Sequence, residues 1–124
     1  METTGTIFTQ ISDKHNTYLG RLREAIAAHK KEEHLTNFDR IDRVAFHVIE
    51  EIIEMRRTYP HKFWKQSEET FDKDLLLEEA ADIFLMSRSM YLEIMRICGV
   101  TEENFLKEVL RKVEKNQRRL ENGY

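Results

Sequence analysis

The chain has 124 residues, of which 40% are hydrophobic and 35% charged, with one proline, four glycines and a formal net charge of −3. That length suits a single domain spanning residues 1–124, and the composition is typical of a folded helical protein rather than a disordered chain. The lack of a basic excess gives no support to nucleic-acid binding. No apolar run in the sequence approaches membrane-spanning length.

The cysteine content and the first residues bear on localisation. Cys98 is the single cysteine, so no internal disulfide can form. Its position at the apolar end of a predicted helix indicates a small buried side chain rather than a reactive thiol. The start of the sequence lacks the basic and then apolar pattern of a signal peptide. We therefore expect a cytoplasmic protein.

Four helices are predicted from apolar residues that recur at helical spacing. Their predicted bounds are, in chain order, Phe8–His29, Thr36 or Asn37 to Thr58, Phe71–Cys98 and Thr101 to about Gly123. Thr9 or Ser12 is the candidate cap of the first helix, after a loose end, and Pro60 stops the second helix. Charged or aromatic connectors are expected at Lys30–His34 and Tyr59–Thr70. The second connector is long enough to reverse the chain, so the helices on either side of it should be antiparallel neighbours.

Two pairs of acidic residues lie within the most apolar stretches of these helices. Glu51 and Glu54 are three residues apart in the second helix, and Glu79 and Asp82 are three apart in the third. Residues three apart share one helix face. Four carboxylates brought together between two helices repel one another and raise each other's pKa. A hard divalent cation such as Mg²⁺ relieves that repulsion, so the spacing predicts a metal site.

Three further groups are candidate substrate-binding residues. His47 lies one turn before Glu51 on the same face, and it contacts substrate, orients a carboxylate or is an ordinary core histidine. The stretch His61-Lys62-Phe63-Trp64-Lys65 offers cations for phosphates and an aromatic ring for a nucleobase, unless its aromatic rings only close the end of the bundle. In the last helix a basic face is formed by Lys112, Asn116 and Arg119, with Lys115 and Arg118 off that face. Such a helix end can equally serve the helix dipole and solubility.

In this order, these segments resemble the all-α nucleoside triphosphate pyrophosphatase superfamily, which includes MazG-type enzymes, dimeric dUTPases and dCTP pyrophosphatases. Its EExxE and ExxD motifs are matched by Glu50-Glu51-Ile-Ile-Glu54 and Glu79-Ala-Ala-Asp82. The segment Lys62-Phe-Trp-Lys65 is similar to an FKxW-type segment, and the basic face of the last helix is similar to a KxxxNxxR pattern. The resemblance covers about Phe38 to Arg119.

The resemblance implies an all-α, MazG-like antiparallel bundle completed by oligomerisation, most simply a homodimer. It implies that Glu51, Glu54, Glu79 and Asp82 bind Mg²⁺, or Mn²⁺ in its place, and that Glu51 or Glu54 is the general base. The reaction would release pyrophosphate and a nucleoside monophosphate. The substrate-binding residues would be His47, Lys62, Trp64, Lys65, Lys112, Asn116 and Arg119.

The sequence departs from the dUTPase and dCTPase branches at positions close to the motifs. Asp82 is followed by Ile83, Phe84, Leu85 and Met86, where dimeric dUTPases carry Leu-His-Phe and dCTPases carry Tyr four residues later. Arg57 stands where dimeric dUTPases favour Asn. The choice between dUTP or dCTP and a broader range of triphosphates therefore stays open. Two other classes remain as alternatives: a non-catalytic metal-binding bundle that acts as an interaction module, and a di-iron bundle, which normally needs Glu-x-x-His pairs that neither acidic pair supplies.

Overall fold

A computed structural model describes residues 2–29, 36–59 and 71–123 of the chain. Four α-helices run through these ranges: α1 is Thr4–His29, α2 is Asn37–Arg56, α3 is Lys73–Cys98 and α4 is Glu102–Glu121. The described residues contain no β-strand. The prediction of an all-α protein with four helices is confirmed. Most of both connectors, including Pro60, lies outside the described ranges.

Local side-chain chemistry fixes the helix ends. Thr36 and Asp39 form a capping box at the start of α2, in which each side chain bonds the other residue's backbone N–H. Asp72 caps α3 and Thr101 caps α4 through backbone N–H groups of their first turns. Gly99 ends α3 in the left-handed region at φ 66°, a conformation that costs glycine little.

The predicted start of α1 is wrong by about one turn. Thr3 performs the capping, because its Oγ1 accepts the Thr6 N–H at 3.1 Å. Thr9 and Ser12 lie inside the helix, where the Thr9 hydroxyl donates to the Gly5 carbonyl at 3.0 Å. The supposed loose end therefore already contributes the first helical residues.

Helices α2 and α3 form a closely packed antiparallel pair. Near one end, Arg96 donates to the Asn37 side-chain oxygen at 3.1 Å. A second contact joins Glu51 to Asp82. From the first contact to the second, the sequence advances along α2 by the same number of residues as it goes back along α3. That symmetry of register establishes the antiparallel direction, and the prediction that the two acidic helices are adjacent and antiparallel is confirmed.

Helices α1 and α4 join α3 through a polar cluster centred on Arg88. Its guanidinium donates to His15 Nδ1 at 2.7 Å and to Ser12 Oγ at 2.7 Å, both on α1. On the other side it donates to Glu102 of α4 at 3.2 Å. Asn16 completes the set at 3.1 Å. Three helices are thereby held by one buried side chain.

Few apolar side chains are buried within a single copy of the chain. Among the described residues Met95 is the one buried hydrophobic residue, and twenty large hydrophobic side chains are exposed. Cys98 is also exposed, contrary to prediction, because it is the last residue of α3 and lies a turn beyond the level at which Met95 is covered. None of the described helices has the length and apolar character needed to cross a membrane.

Candidate metal centre

Carboxylates from two helices meet between α2 and α3. One oxygen each of Glu51, Glu79 and Asp82 lies within 4.8 Å of the others. On α2, the residues Val44, Val48, Glu51 and Met55 follow the four-three-four spacing of one helix face, and all are partly buried. Glu51 is therefore turned towards α3 by the same apolar face that packs the helix pair. The structure brings together three of the four predicted metal ligands.

Two of these carboxylates have a buried oxygen without a partner. Glu51 Oε2 and Glu79 Oε2 are inaccessible to solvent and accept no hydrogen bond from any described residue. An unpaired polar atom of this kind costs free energy because it has lost water and gained nothing in return. The two oxygens therefore mark a place where a missing positive partner would be stabilising.

The pKa shifts of Glu51 and Glu79 also indicate that a positive partner would be stabilising. Burial raises the pKa of Glu51, and repulsion from Glu54, Asp82 and Glu79 raises it further. Burial likewise raises the pKa of Glu79, with repulsion from Glu54, Asp82 and Glu78. The charged groups that shift these two carboxyls are all carboxylates.

Glu54, the fourth predicted ligand, lies at the exposed edge of this group. Repulsion from its carboxylate raises the pKa of both Glu51 and Glu79. Glu54 is thus within reach of the cluster but more open to solvent than Glu51. We call Glu51, Glu54, Glu79 and Asp82 the acidic cluster below.

The donor set fits a hard divalent cation. All the candidate ligand atoms are carboxylate oxygens, which Mg²⁺ and Mn²⁺ prefer, and the group contains no thiol or imidazole that would favour zinc. Two of the oxygens are already stripped of water and of protein partners. The residues present therefore match the predicted magnesium site in ligand type and in unsatisfied charge.

The position of His47 on the exposed side of α2 excludes one of its predicted roles. Its side chain is 55% exposed and its Nδ1 lies 3.7 Å from Glu50 Oε2. The alternative of a satisfied core histidine is wrong, because the ring lies on the solvent side of α2. A contact between His47 and substrate stays a prediction. Glu50 and Glu78 are exposed, as expected for acids that turn away from the cluster.

The basic residues of the last helix gather on the second half of α4. A shallow groove there is lined by Arg111, Lys115, Arg118, Arg119 and Asn122. Repulsion from Arg119 and Lys112 is the main cause that lowers the pKa of Lys115. The groove is rich in cations, of which Arg111 pairs with Glu108. Among the described residues, its side chains form no ion pair with the acidic cluster. Lys62, Trp64 and Lys65 lie outside the described ranges.

The Arg88 cluster was missed by sequence reasoning. Arg88 follows Phe84 by four residues and precedes Tyr91 and Met95 at helical spacing, so an arginine stands within an apolar face of α3. That position is the signal that a buried cation was to be expected. Its partner His15, 73 residues away along the chain, carries no comparable signal.

Comparison of the chain with protein-family models, with curated protein sequences and with solved structures returned no significant match.

Proposed function

We propose that this chain is a Mg²⁺-dependent nucleoside triphosphate pyrophosphatase, which hydrolyses a (d)NTP to the nucleoside monophosphate and pyrophosphate. The observation that carries the proposal is the meeting of Glu51, Glu79 and Asp82, with two buried oxygens that have no partner. The motif order along the sequence adds the substrate class. The deoxypyrimidine triphosphates dUTP and dCTP are the first substrates to test, and the single cysteine suits a cytoplasmic enzyme.

In this proposal the acidic cluster holds the cation, and Glu51, Glu79 and Asp82 supply its ligands. A bound Mg²⁺ supplies charge neutralisation for the triphosphate and activation of the attacking water. The water oxygen forms a bond to the α-phosphorus, and the bond from that phosphorus to its bridging oxygen breaks. Pyrophosphate leaves with the electron pair.

A carboxylate of the cluster takes the proton that the water loses. Glu51 is one candidate for this general base. Glu54, at the exposed edge, is the second candidate. In this proposal His47, which lies one turn before Glu51 on the exposed side of α2, contacts the substrate.

The test is a turnover assay over a panel of NTPs and dNTPs, in which added inorganic pyrophosphatase converts released pyrophosphate to phosphate for colorimetric detection. Turnover should need Mg²⁺, be retained with Mn²⁺ and be abolished by a chelator. Glu79→Gln should reduce it by about 100-fold or more, since preorganised electrostatic stabilisation is worth that much. Glu103→Gln is the matched control on α4, because its carboxylate is 79% exposed and pairs only locally with Lys107.

Absence of turnover with every triphosphate would overturn the enzymatic proposal. If Mg²⁺ still raised the melting temperature of such an inactive protein, the metal-binding interaction module would replace it.

A further inference from the structure

Apolar packing contributes only part of the attachment of α1 to the other helices. Five large apolar side chains of α1 stay between 37 and 60% exposed, namely Ile7, Phe8, Ile11, Tyr18 and Leu22. Among the described residues, the backbone of α1 also approaches its neighbours less closely than those of α2 and α3 approach each other. Because hydrophobic stabilisation grows with the apolar area removed from water, the position of α1 depends strongly on its polar contacts.

The polar contacts of α1 with α3 and α4 meet at the Arg88 cluster. Three side chains of α1, within little more than one helical turn, make hydrogen bonds to these two helices: Ser12, His15 and Asn16. Ser12 contacts both Arg88 and Glu102, while His15 contacts Arg88 and Ser89. His15 is 8% exposed and Arg88 5%. Helix α1 is therefore attached at one buried polar point.

The hydrogen bond at the centre of this point is compatible with only one protonation state of His15. The Arg88 guanidinium donates to His15 Nδ1 at 2.7 Å. A protonated imidazole carries a hydrogen on both nitrogens, so rotation of the ring cannot restore an acceptor. Protonation would also place two cations in contact away from water, which is strongly unfavourable. Docking of α1 and protonation of His15 therefore oppose each other.

The charged groups around His15 do not remove this conflict. Within the described chain, Arg88 of α3 and Glu102 of α4 are the charged groups that act on the ring, and none from α2 does so. Asp13 and Lys14, its neighbours on α1, are exposed. The Glu102 carboxylate favours a protonated ring but already pairs with Arg88 at 3.2 Å. Burial and Arg88 accordingly lower the pKa of His15 against the opposing effect of Glu102.

The contacts among the other three helices do not involve α1. Helices α2 and α3 form the closest pair, and α3 is followed by α4 after the turn at Gly99. The ion pair of Arg88 with Glu102 and the contact of the Tyr91 and Phe105 rings, whose centroids are 5.3 Å apart, join α3 to α4. Departure of α1 would leave all of these contacts in place.

We propose that protonation of His15 releases α1 from α3 and α4 while those helices and α2 stay packed, so that mild acid opens an apolar groove. Phe8 of α1 borders a cavity of about 340 Å³ whose other walls include Phe84 and Tyr91 of α3 and Phe105 of α4. When α1 leaves, Phe8 leaves with it and those walls become accessible. The acidic cluster lies on α2 and α3, so this device is independent of the proposed function.

Hydrogen exchange of backbone amides tests the release helix by helix. An isolated helix is marginally stable in water, so the amides of α1 lose protection once it is released. Release takes up one proton, so below pH 6.5 the protection of α1, corrected for the intrinsic effect of pH, should fall by up to about tenfold per pH unit. Protection of the α3 amides around the buried Met95 should stay unchanged over the same range.

Two outcomes for the wild type would overturn the proposal. One is protection of α1 that does not depend on pH between about 7.5 and 5.5, the range that brackets the ordinary histidine pKa. The other is a parallel loss of protection in α1 and α3, which would show that acid unfolds the helices together. These comparisons need no variant, so they decide the matter even if a substitution at His15 fails to fold.

A matched pair of variants identifies the group that titrates. The amide of His15→Gln can accept from Arg88 and donate to Ser89 without binding a proton, so the protection of α1 should no longer depend on pH. His47→Gln removes an imidazole that is 55% exposed and should keep the wild-type dependence. A His15→Gln protein that still loses α1 protection in acid, or a His47→Gln protein that no longer does, would show that His15 is not the switch.

Discussion

Arg88 fixes the protonation state of His15. The guanidinium of Arg88 can only donate, so His15 Nδ1, 2.7 Å away, must be the acceptor. The other ring nitrogen then carries the proton and donates to Ser89 Oγ at 3.1 Å, while the Ser89 hydroxyl donates to the Leu85 carbonyl at 3.0 Å. The bond from Arg88 requires a neutral imidazole, because a protonated ring has no acceptor nitrogen. Burial, together with the charge of Arg88, lowers the pKa of His15, against an opposing effect of Glu102.

The first prediction is therefore a loss of stability in mild acid. Since the folded pKa is lowered below the ordinary value of 6.5, the unfolded chain binds more protons than the folded chain below that pH. Stability from this site should be complete above about pH 6.5 and should fall as the pH drops towards the folded pKa. Urea midpoints measured across this range should show the fall in the wild type.

His15→Gln is the control, because its amide can accept from Arg88 and donate to Ser89 but does not titrate. If the variant lost stability with pH as steeply as the wild type, His15 would not be the group responsible.

The second prediction compares two arginines of α3. The Arg88 side chain is 6% exposed and pairs with Glu102, which is 32% exposed. Arg88→Met leaves the partly buried Glu102 carboxylate without its cation and His15 Nδ1 without its donor, and should cost about 3 kcal/mol in the free energy of unfolding. Arg96, whose side chain is 42% exposed, pairs with Glu93, and Arg96→Met should cost less than about 1 kcal/mol. If chemical denaturation showed that the two variants lose the same free energy of unfolding, the structural role of Arg88 would be contradicted.

The third prediction concerns the metal. A cation that binds only the folded state stabilises it, by about 2.7 kcal/mol at a concentration 100 times its Kd. Mg²⁺ should raise the melting temperature of the wild type and raise that of Glu54→Gln much less. Without metal, Glu54→Gln should be at least as stable as the wild type, because it removes repulsion from Glu51 and Glu79. A Mg²⁺ response that matched the wild type would exclude Glu54 from the site, and Glu103→Gln should retain the full response.

The fourth prediction is the pH dependence of the metal-free protein. The pKa of Glu51 and that of Glu79 are raised above the ordinary value of 4.5, so the folded chain holds protons that the unfolded chain releases. Their contribution to stability should be present below about pH 4.5 and lost as the pH rises through the folded pKa values. The double variant Glu51→Gln, Glu79→Gln should lack this loss in chelator. If the stability of both proteins depended on pH in the same way, the carboxyl groups of Glu51 and Glu79 would not be the cause of the loss.

The fifth prediction compares alanine substitutions at two glycines that differ in backbone conformation. An added Cβ would meet no atom within 4 Å at Gly20 or at Gly99, but Gly99 has a φ of +66°. Gly20 lies inside α1, so Gly20→Ala should stabilise the protein by about 1 kcal/mol. Gly99→Ala should destabilise it by about 1 kcal/mol, since alanine is strained in the left-handed region. Thermal unfolding of the two variants should therefore move in opposite directions, and a shared direction would contradict the geometry.

The sequence predicts those parts of the fold that depend on neighbours along the chain. Thr36, Asp72 and Thr101 stand at or next to the predicted starts because capping needs only a side chain two or three residues from an open N–H group. The predicted start of α1 is wrong for a related reason. Five hydroxyl residues lie between positions 3 and 12, and Thr3 is the one that caps the helix. Glu51 meets Glu79 as predicted because two apolar faces force the helices together.

Long-range pairing is the part that the sequence does not predict. Nothing near His15 indicates that it will meet Arg88, because the match depends on how α1 is placed against α3. The exposure of Cys98 was missed for a similar reason: an apolar neighbourhood along the helix does not show where the neighbouring helices end. The roles of Lys62, Trp64 and Lys65 stay predictions, as do magnesium binding and hydrolysis.

The separations around Arg88 also bear on the order in which the chain folds. Glu102 is 14 residues from Arg88, while His15 is 73 residues away. Because the entropy of closing a loop grows with its length, the hairpin of α3 and α4 should form first and compensate the Arg88 charge early. Helix α1 would then dock last, onto a guanidinium that is already held. Substitutions at Ser12, His15 or Asn16 should accordingly speed unfolding and leave the folding rate almost unchanged.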